Sequence, residues 1–206
     1  MRRVPGPTRN NAVQNKPNTL RIIGGEWRSR RIRFPGLKGL RPTPDRVRET
    51  LFNWLAAEVA GSRCLDLFAG SGALGLEALS RGAASVTFIE REREAADRLR
   101  ETATHLAPGR VAVLHADALA WLGGASQPFD IVFLDPPFDS GLLPVAMRAL
   151  ESGGWLAPNA RIYLEGPARA GPPALPDDWI LHRSGRAGAV GYHLARRQPG
   201  GTKGPA

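Results

Sequence analysis

The stretch from Cys64 to Gly82, CLDLFAGSGALGLEALSRG, changes its period halfway along. The first part is a short apolar run, as a buried strand requires. The second places apolar residues at helical spacing, and Gly70, Gly72 and Gly75 fall at and just beyond the change. A strand that passes through glycines into a helix brings backbone amides close to whatever binds at the helix start. The alternation then repeats. SVTFIE is followed by the helical REREAADRLRETATHL, VAVLHAD by ALAWL, and FDIVFLD by GLLPVAMRAL, a helix started or broken near Pro144, before RIYLEG returns to strand character. Near-continuous apolar strands separated by single helices predict a mostly parallel sheet covered on both faces, a doubly wound α/β domain. WILHRSGRAGAVGYHLARR holds two strand-like runs around a glycine-containing turn, which predicts an antiparallel finish.

The chain has 206 residues, 42% of them hydrophobic, which suits a single core with appendages. No run approaches the roughly 20 uncharged apolar residues of a bilayer crossing, and no apolar signal-peptide stretch follows the basic start, so the reading is a cytoplasmic protein without membrane attachment. Cys64 is the one cysteine. At the head of an apolar strand it reads as a small buried hydrophobe.

The net charge of +9 is concentrated at one end. Residues 1–48 hold 13 Lys or Arg against Glu26 and Asp45 and stand at +11, whereas the remainder, with 15 basic and 17 acidic residues, stands at −2. A basic arm on a near-neutral domain points to a polyanion, because clustered Lys and Arg release condensed counterions from phosphates. Residues 1–19 and 199–206 are polar and rich in Pro, Gly or Asn, and are expected to be disordered tails. LRIIGGEWRSRRIRF predicts a hairpin around Gly24, Gly25 and Glu26, with Arg31 and Arg33 on one face and Ile32 and Phe34 on the other. In RPTPDRVRETLFNWLAAEV, Thr43 is the expected N-cap of a helix and Pro44 its first residue, with Val47, Leu51, Trp54 and Leu55 on the apolar side. These two elements form an extension over 20–60, ahead of the main domain over 61–198.

In parallel sheets ligands bind at the carboxyl ends of the strands. Gly70, Gly72 and Gly75 spell G-x-G-x-x-G, a pattern that dinucleotide enzymes also use. Glu90 ends the next strand, where a carboxylate can hold the hydroxyls of a ribose in either kind of cofactor, or can be solvated or paired with an arginine. Asp117 ends the third strand and can accept from an adenine amino group beside the small Ala118, or can cap the following helix. The fourth strand runs into Asp135-Pro136-Pro137-Phe138 on the same rim. The Asp135 carboxylate and the Pro136 carbonyl can both accept from a planar exocyclic amine, and Phe138 offers a face for stacking a base. Such an amine is a poor nucleophile because its lone pair is delocalised into the ring, and two acceptors help to localise that pair.

On these residues the chain resembles class I S-adenosylmethionine-dependent methyltransferases that methylate amino groups. DLFAGSG resembles their cofactor loop, which implies that Asp66, Phe68, Gly70 and Gly72 touch S-adenosyl-L-methionine, with Glu90 as the ribose acid, Asp117 and Ala118 beside the adenine, and Asp135 adjoining the cofactor. DPPF resembles their catalytic loop, which implies roles for Asp135, Pro136, Pro137 and Phe138. RIIGGEWRSRRIRFP, RPTPDRVRETLFNWL and CLDLFAGSGALGLEALSRGA, in this order, resemble the RsmD family of bacterial 16S rRNA guanine-N2 methyltransferases, from about Leu20 to Arg197. The resemblance implies a Rossmann-like, mostly parallel seven-stranded sheet with an antiparallel C-terminal strand. It also implies methyl transfer to the N2 amine of one guanine of 16S rRNA in the small subunit, S-adenosyl-L-homocysteine as product, and no metal. Arg31, Arg33, Arg41, Thr43, Arg46 and Arg48 are the residues expected to clamp rRNA phosphates and line the target pocket. The expected state is a monomer.

A nicotinamide-dependent oxidoreductase would explain the glycines and Glu90 but not DPPF or the basic arm. A DNA amino-methyltransferase shares DPPF, but the chain after Phe138 is too short for a target-recognition domain. A non-enzymatic RNA-binding module would use the arm and leave the rim without a purpose.

Overall fold

The computed structural model describes residues 18–34 and 43–198. Arg41 and nearly all of the two expected tails lie outside the described residues, although Asn18 and Thr19 open the first strand. Among the described residues no helix is long and apolar enough to cross a membrane.

Strands β1 (Asn18–Arg21) and β2 (Arg31–Phe34) pair antiparallel, with Arg31 and Arg33 exposed and Ile32 and Phe34 buried, as the alternation predicts. Helix α1 spans Asp45–Trp54. The main domain then runs β3 (Arg63–Asp66), α2 (Ala73–Ser80), β4 (Ser85–Glu90), α3 (Arg93–Leu106), β5 (Val111–His115), α4 (Ala118–Leu122), β6 (Phe129–Leu134), α5 (Leu142–Ser152), β7 (Leu156–Pro167), β8 (Trp179–Ala187) and β9 (Val190–Arg197). The seven main-domain strands form one sheet in the order β5-β4-β3-β6-β7-β9-β8, in which β9 runs antiparallel to both neighbours. Strand order reverses beside β3, so the loops after β3 and β6 open onto the crevice where such sheets hold ligands.

Because side chains alternate along each strand, one sheet gives two cores. Cys64, Phe88, Phe133 and Tyr163 face α1, α2, α3 and the hairpin, while Leu65, Ile89, Leu134 and Leu164 face α4 and α5. Burial pushes the Cys64 thiol up to about 12, so it packs as a hydrophobe and is not a nucleophile at neutral pH.

The extension keeps the expected hairpin and departs from expectation at the start of α1. The connection between β1 and β2 occupies residues 22–30, and Gly24 and Gly25 within it form its contact with α2. Ile23 and Gly24 donate their amides to the two carboxylate oxygens of Glu77, both at 2.8 Å, and Glu26 donates to the Ser80 carbonyl at 2.7 Å. A Cβ on Gly25 would stand 1.9 Å from that carbonyl oxygen. The departure lies at the cap of α1. Thr43 is not its N-cap: Pro44 takes that position, its carbonyl accepting from Val47 and Arg48, and the Thr43 hydroxyl is turned away to the main domain. Pro144 sits in the first turn of α5, where a missing amide costs no helical hydrogen bond.

Candidate active site

The loop after β3 is held by its neighbours before any ligand arrives. Gly70 and Gly72 adopt φ of 53° and 75°, and Gly72 occupies the N-cap position of α2 in a left-handed conformation. Gly75 serves packing: a Cβ there would lie 2.2 Å from the Phe88 ring, so its absence lets α2 settle onto β4. Asp66, at the end of β3, accepts from the Gly75 amide at 3.0 Å. Burial, reinforced by the charges of Asp135 and Glu90, pushes Asp66 up to about 7 although the Gly75 amide works the other way.

Glu90 is buried at the end of β4, and both carboxylate oxygens accept backbone amides, from Gly70 and from Glu92, each at 2.7 Å. This acid therefore ties the glycine loop to the end of β4, and each of its oxygens retains a second lone pair. Asp117 caps α4, with one oxygen, Oδ1, accepting from Leu119 and Ala120 at 3.0 Å each. The cap reading is realised, and Oδ2 lies outside the cap.

Asp135 follows β6 on the same rim. Pro136 is buried, Pro137 exposed, and Phe138, 40% exposed, opens a short turn through Ser140 whose hydroxyl donates to the Pro137 carbonyl. The ring of Phe138 is therefore presented at the surface and does not belong to the core. Asp135 Oδ2 accepts from the Thr43 hydroxyl at 3.3 Å, which joins two loops 92 positions apart in sequence. Burial pushes Asp135 up to about 6, with the Thr43 hydrogen bond opposing.

Sequence reasoning did not single out Glu165 and Tyr163. Both lie on β7 and are buried, and the Tyr163 hydroxyl donates to Glu165 Oε2 at 2.7 Å. Burial together with the charge of Asp135 pushes Glu165 up to about 8. The signal was present in RIYLEG, an apolar run that closes on an acid as CLD, FIE and FLD do.

The cations separate into two groups. Arg31, Arg33 and Arg46 are exposed. Arg48, expected to face phosphate, is fully buried: it donates to Asp45, Glu77 and the carbonyls of Arg21 and Thr43. Its guanidinium is used to fasten the extension, and it is removed from the set of RNA-facing residues. A cleft lined by Arg33, Phe34, Gly70, Ser71, Arg98 and Thr102 connects the exposed face of β2 with the glycine loop.

A sheet of this order with one antiparallel strand, a glycine loop locked to the acid that ends β4, and Asp-Pro-Pro-Phe on the same rim define a class I S-adenosylmethionine-dependent methyltransferase. The family model described as "Conserved hypothetical protein 95" matches residues 20–196. Ribosomal RNA small subunit methyltransferase D of Escherichia coli (strain K12) is 49% identical over 191 residues, covering 90% of this chain and 96% of that protein. The chain belongs to this family, the RsmD family. A solved Escherichia coli chain, 46% identical, superposes with a TM-score of 0.82 over 89% of this chain and 100% of that one. The Thermus thermophilus 16S rRNA N2 G1207 methyltransferase, solved with AdoMet and guanosine, shares the fold at 22% identity and a TM-score of 0.62, over 89% of this chain and 50% of that one.

Proposed function

We propose that the protein transfers a methyl group from S-adenosyl-L-methionine to the exocyclic N2 of a specific guanine in 16S rRNA of the small ribosomal subunit. The observation that carries this reading is the placement of Asp135 and Phe138, a half-buried carboxylate and an exposed ring, on the rim that also holds the glycine loop. The RsmD relatives named for small-subunit rRNA supply the substrate class.

The residues present suit the cofactor. Amides of the glycine loop lie at a helix start, Glu90 has lone pairs for two ribose hydroxyls, and Asp117 Oδ2 beside Ala118 suits an adenine amine. When bound, S-adenosyl-L-methionine supplies an electrophilic methyl on a sulfonium. Asp135 Oδ1 and the Pro136 carbonyl accept the two amine hydrogens and turn the nitrogen lone pair toward the methyl. Phe138 stacks the guanine once it has left its neighbours. Alignment of this kind accounts for about 7–11 kcal/mol of barrier in favourable cases. The surplus proton of the methylated amine leaves to Asp135 or to water, and no metal takes part.

In this reading residues 20–60 form the RNA-facing extension and 61–198 the catalytic domain. Arg31, Arg33, Arg41 and Arg46 meet phosphates, helped by the basic tail, and the protein works as a cytoplasmic monomer on an assembled or assembling subunit. The test is methyl transfer from labelled S-adenosyl-L-methionine to small subunits lacking the modification, beside naked 16S rRNA and DNA, with nucleoside analysis and Asp135→Ala as control. N2-methylguanine in rRNA that is lost in the variant is the expected result. Methylation of DNA or of another base, or no transfer despite cofactor binding, overturns the substrate assignment.

A further inference from the structure

Three of the strand-end acids are held by backbone amides. Asp66 accepts the amide of Gly75, Glu90 those of Gly70 and Glu92, and Asp117 those of Leu119 and Ala120. An aspartate that leads into a turn commonly takes its amides from the next two or three residues, as Asp117 does. Asp135 is followed by Pro136 and Pro137, which carry no amide hydrogen, so the nearest donors are missing from its own loop. Among the described residues one group donates to it, the Thr43 hydroxyl, at 3.3 Å to Oδ2. Thr43 is itself held on several sides. Pro44 confines the residue before it to extended backbone. Arg48 Nε donates to the Thr43 carbonyl at 3.2 Å, and the same guanidinium is tied to Asp45, to Glu77 on α2 and to the Arg21 carbonyl. Helix α1, which Thr43 precedes, sets the Phe52 ring 5.9 Å from that of Phe133, two residues before Asp135, and Trp54 5.5 Å from Tyr192. At 5% exposure Thr43 offers no surface to a phosphate, and its hydroxyl is committed inward.

We propose that Thr43 is a positioning residue for methyl transfer: its hydroxyl sets the direction of the Asp135 carboxylate, a task that the Pro136-Pro137 loop leaves undone. The catalytic consequence rests on the reading of Asp135 given above; the contact itself does not. The terminal torsion of an aspartate is broad when nothing holds it. With Oδ2 engaged by Thr43 that torsion is restricted, and Oδ1 meets the substrate amine at a set angle, which is the kind of alignment on which in-line transfer depends. The extension thereby contributes to the chemistry as well as to the surface for RNA. Glu77, which accepts the Ile23 and Gly24 amides of the hairpin connection, also accepts from Arg48, and Arg48 holds Thr43. Seating of the hairpin and direction of Asp135 are thus joined through consecutive hydrogen bonds. A chain whose extension came loose would keep its glycine loop and lose the orientation of its acid.

Variants of the full chain test this. Thr43→Val keeps nearly the same shape and removes the hydroxyl. It should lower kcat about 10-fold, the low end for a hydrogen bond to a charged group, with KM for S-adenosyl-L-methionine and affinity for rRNA little changed. Thr43→Ser, which restores the hydroxyl, should recover most of that loss. A Ser variant no better than Val, or a Val variant that keeps its kcat or loses RNA affinity in place of kcat, overturns the proposal. Unfolding in urea reads the contact without reference to any substrate. The shift in midpoint that Thr43→Val causes in the wild type should largely disappear in an Asp135→Ala background, where the hydroxyl has already lost its partner. An equal shift in both backgrounds overturns the proposal. If the two substitutions are coupled in this way while the wild type methylates no rRNA, the contact stands and the substrate reading fails.

Discussion

Arg48 of α1 and Glu77 of α2 meet at 3.4 Å with both side chains fully buried. Glu77 also accepts the Ile23 and Gly24 amides and the Arg81 guanidinium, so one carboxylate gathers α1, α2 and the hairpin connection around itself. Removing one partner of a buried, hydrogen-bonded pair leaves the other charge uncompensated. Glu77→Ala should therefore cost about 3–5 kcal/mol in urea unfolding. The double variant Arg48→Met, Glu77→Leu should lose less than the two single variants summed. A loss for Glu77→Ala within the range of surface substitutions, about 0.5 kcal/mol, would mean that the pair is not buried in solution.

Asp66 gives stability a dependence on pH. Its carboxyl rises from 3.8 to about 7 on folding, so the folded protein holds the proton more tightly than the unfolded chain does. The resulting stabilisation is complete below the unfolded value and is lost as pH climbs through about 7. Relative to Asp66→Asn, the wild type should lose on the order of 2–4 kcal/mol between mildly acid and neutral pH, measured by chemical unfolding at a series of pH values. Asp135 and Glu165 add slopes of the same sign, and comparison with the Asn variant separates the Asp66 share. Parallel curves for the two proteins would show that Asp66 is ionised throughout.

Phe138 separates activity from stability. Its ring is 40% exposed, so Phe138→Ala should leave folding within about 0.5 kcal/mol of the wild type. Loss of base stacking should lower kcat/KM for the RNA substrate about 10- to 100-fold, with Phe138→Tyr close to wild type. Calorimetry and single-substrate kinetics on the same preparations decide the point, and an equal fall in cofactor affinity would place the ring in the wrong pocket.

Arg31 and Arg33 point outward from β2 and form no ion pair among the described residues. Replacing both by Ala should weaken RNA binding roughly equally across sequences and reduce the slope of log affinity against log salt by about 2. Cofactor binding should not change. The same substitution at Arg48 should show itself in unfolding curves and not in the salt slope.

The strands were legible because each is an apolar run between turn or helix signals, and the hairpin faces because Ile32 and Phe34 alternate with arginines. Rim acids stood out where an acid closes an apolar run, as at Glu90, Asp117 and Asp135, whereas Asp66 was pointed to only by the resemblance of DLFAGSG. What was not legible depends on partners distant in sequence. Thr43 before Pro44 has the local form of a helix cap, but its hydroxyl answers to Asp135, 92 positions on. Arg48 and Glu77 each have the form of a solvated helix face, and only the docking of the hairpin connection brings them inside together. Glu165 closes its strand as the other acids do, but its meaning depends on the register that sets it beside Asp135.

Helix α2 has only eight residues, and different partners hold its two ends. Its first turn receives Asp66 at the Gly75 amide, while Glu77 and Ser80 near its other end receive the loop before β2. It is thus a spacer of fixed length and angular phase. One inserted residue would advance the far end by about 1.5 Å and turn it by about 100°, carrying Glu77 and Ser80 out of line with the loop while Gly75 stayed in place. Loops at the margin of this protein can lengthen at little cost, but α2 cannot change by a single residue without uncoupling the hairpin from the glycine loop at the crevice of the sheet.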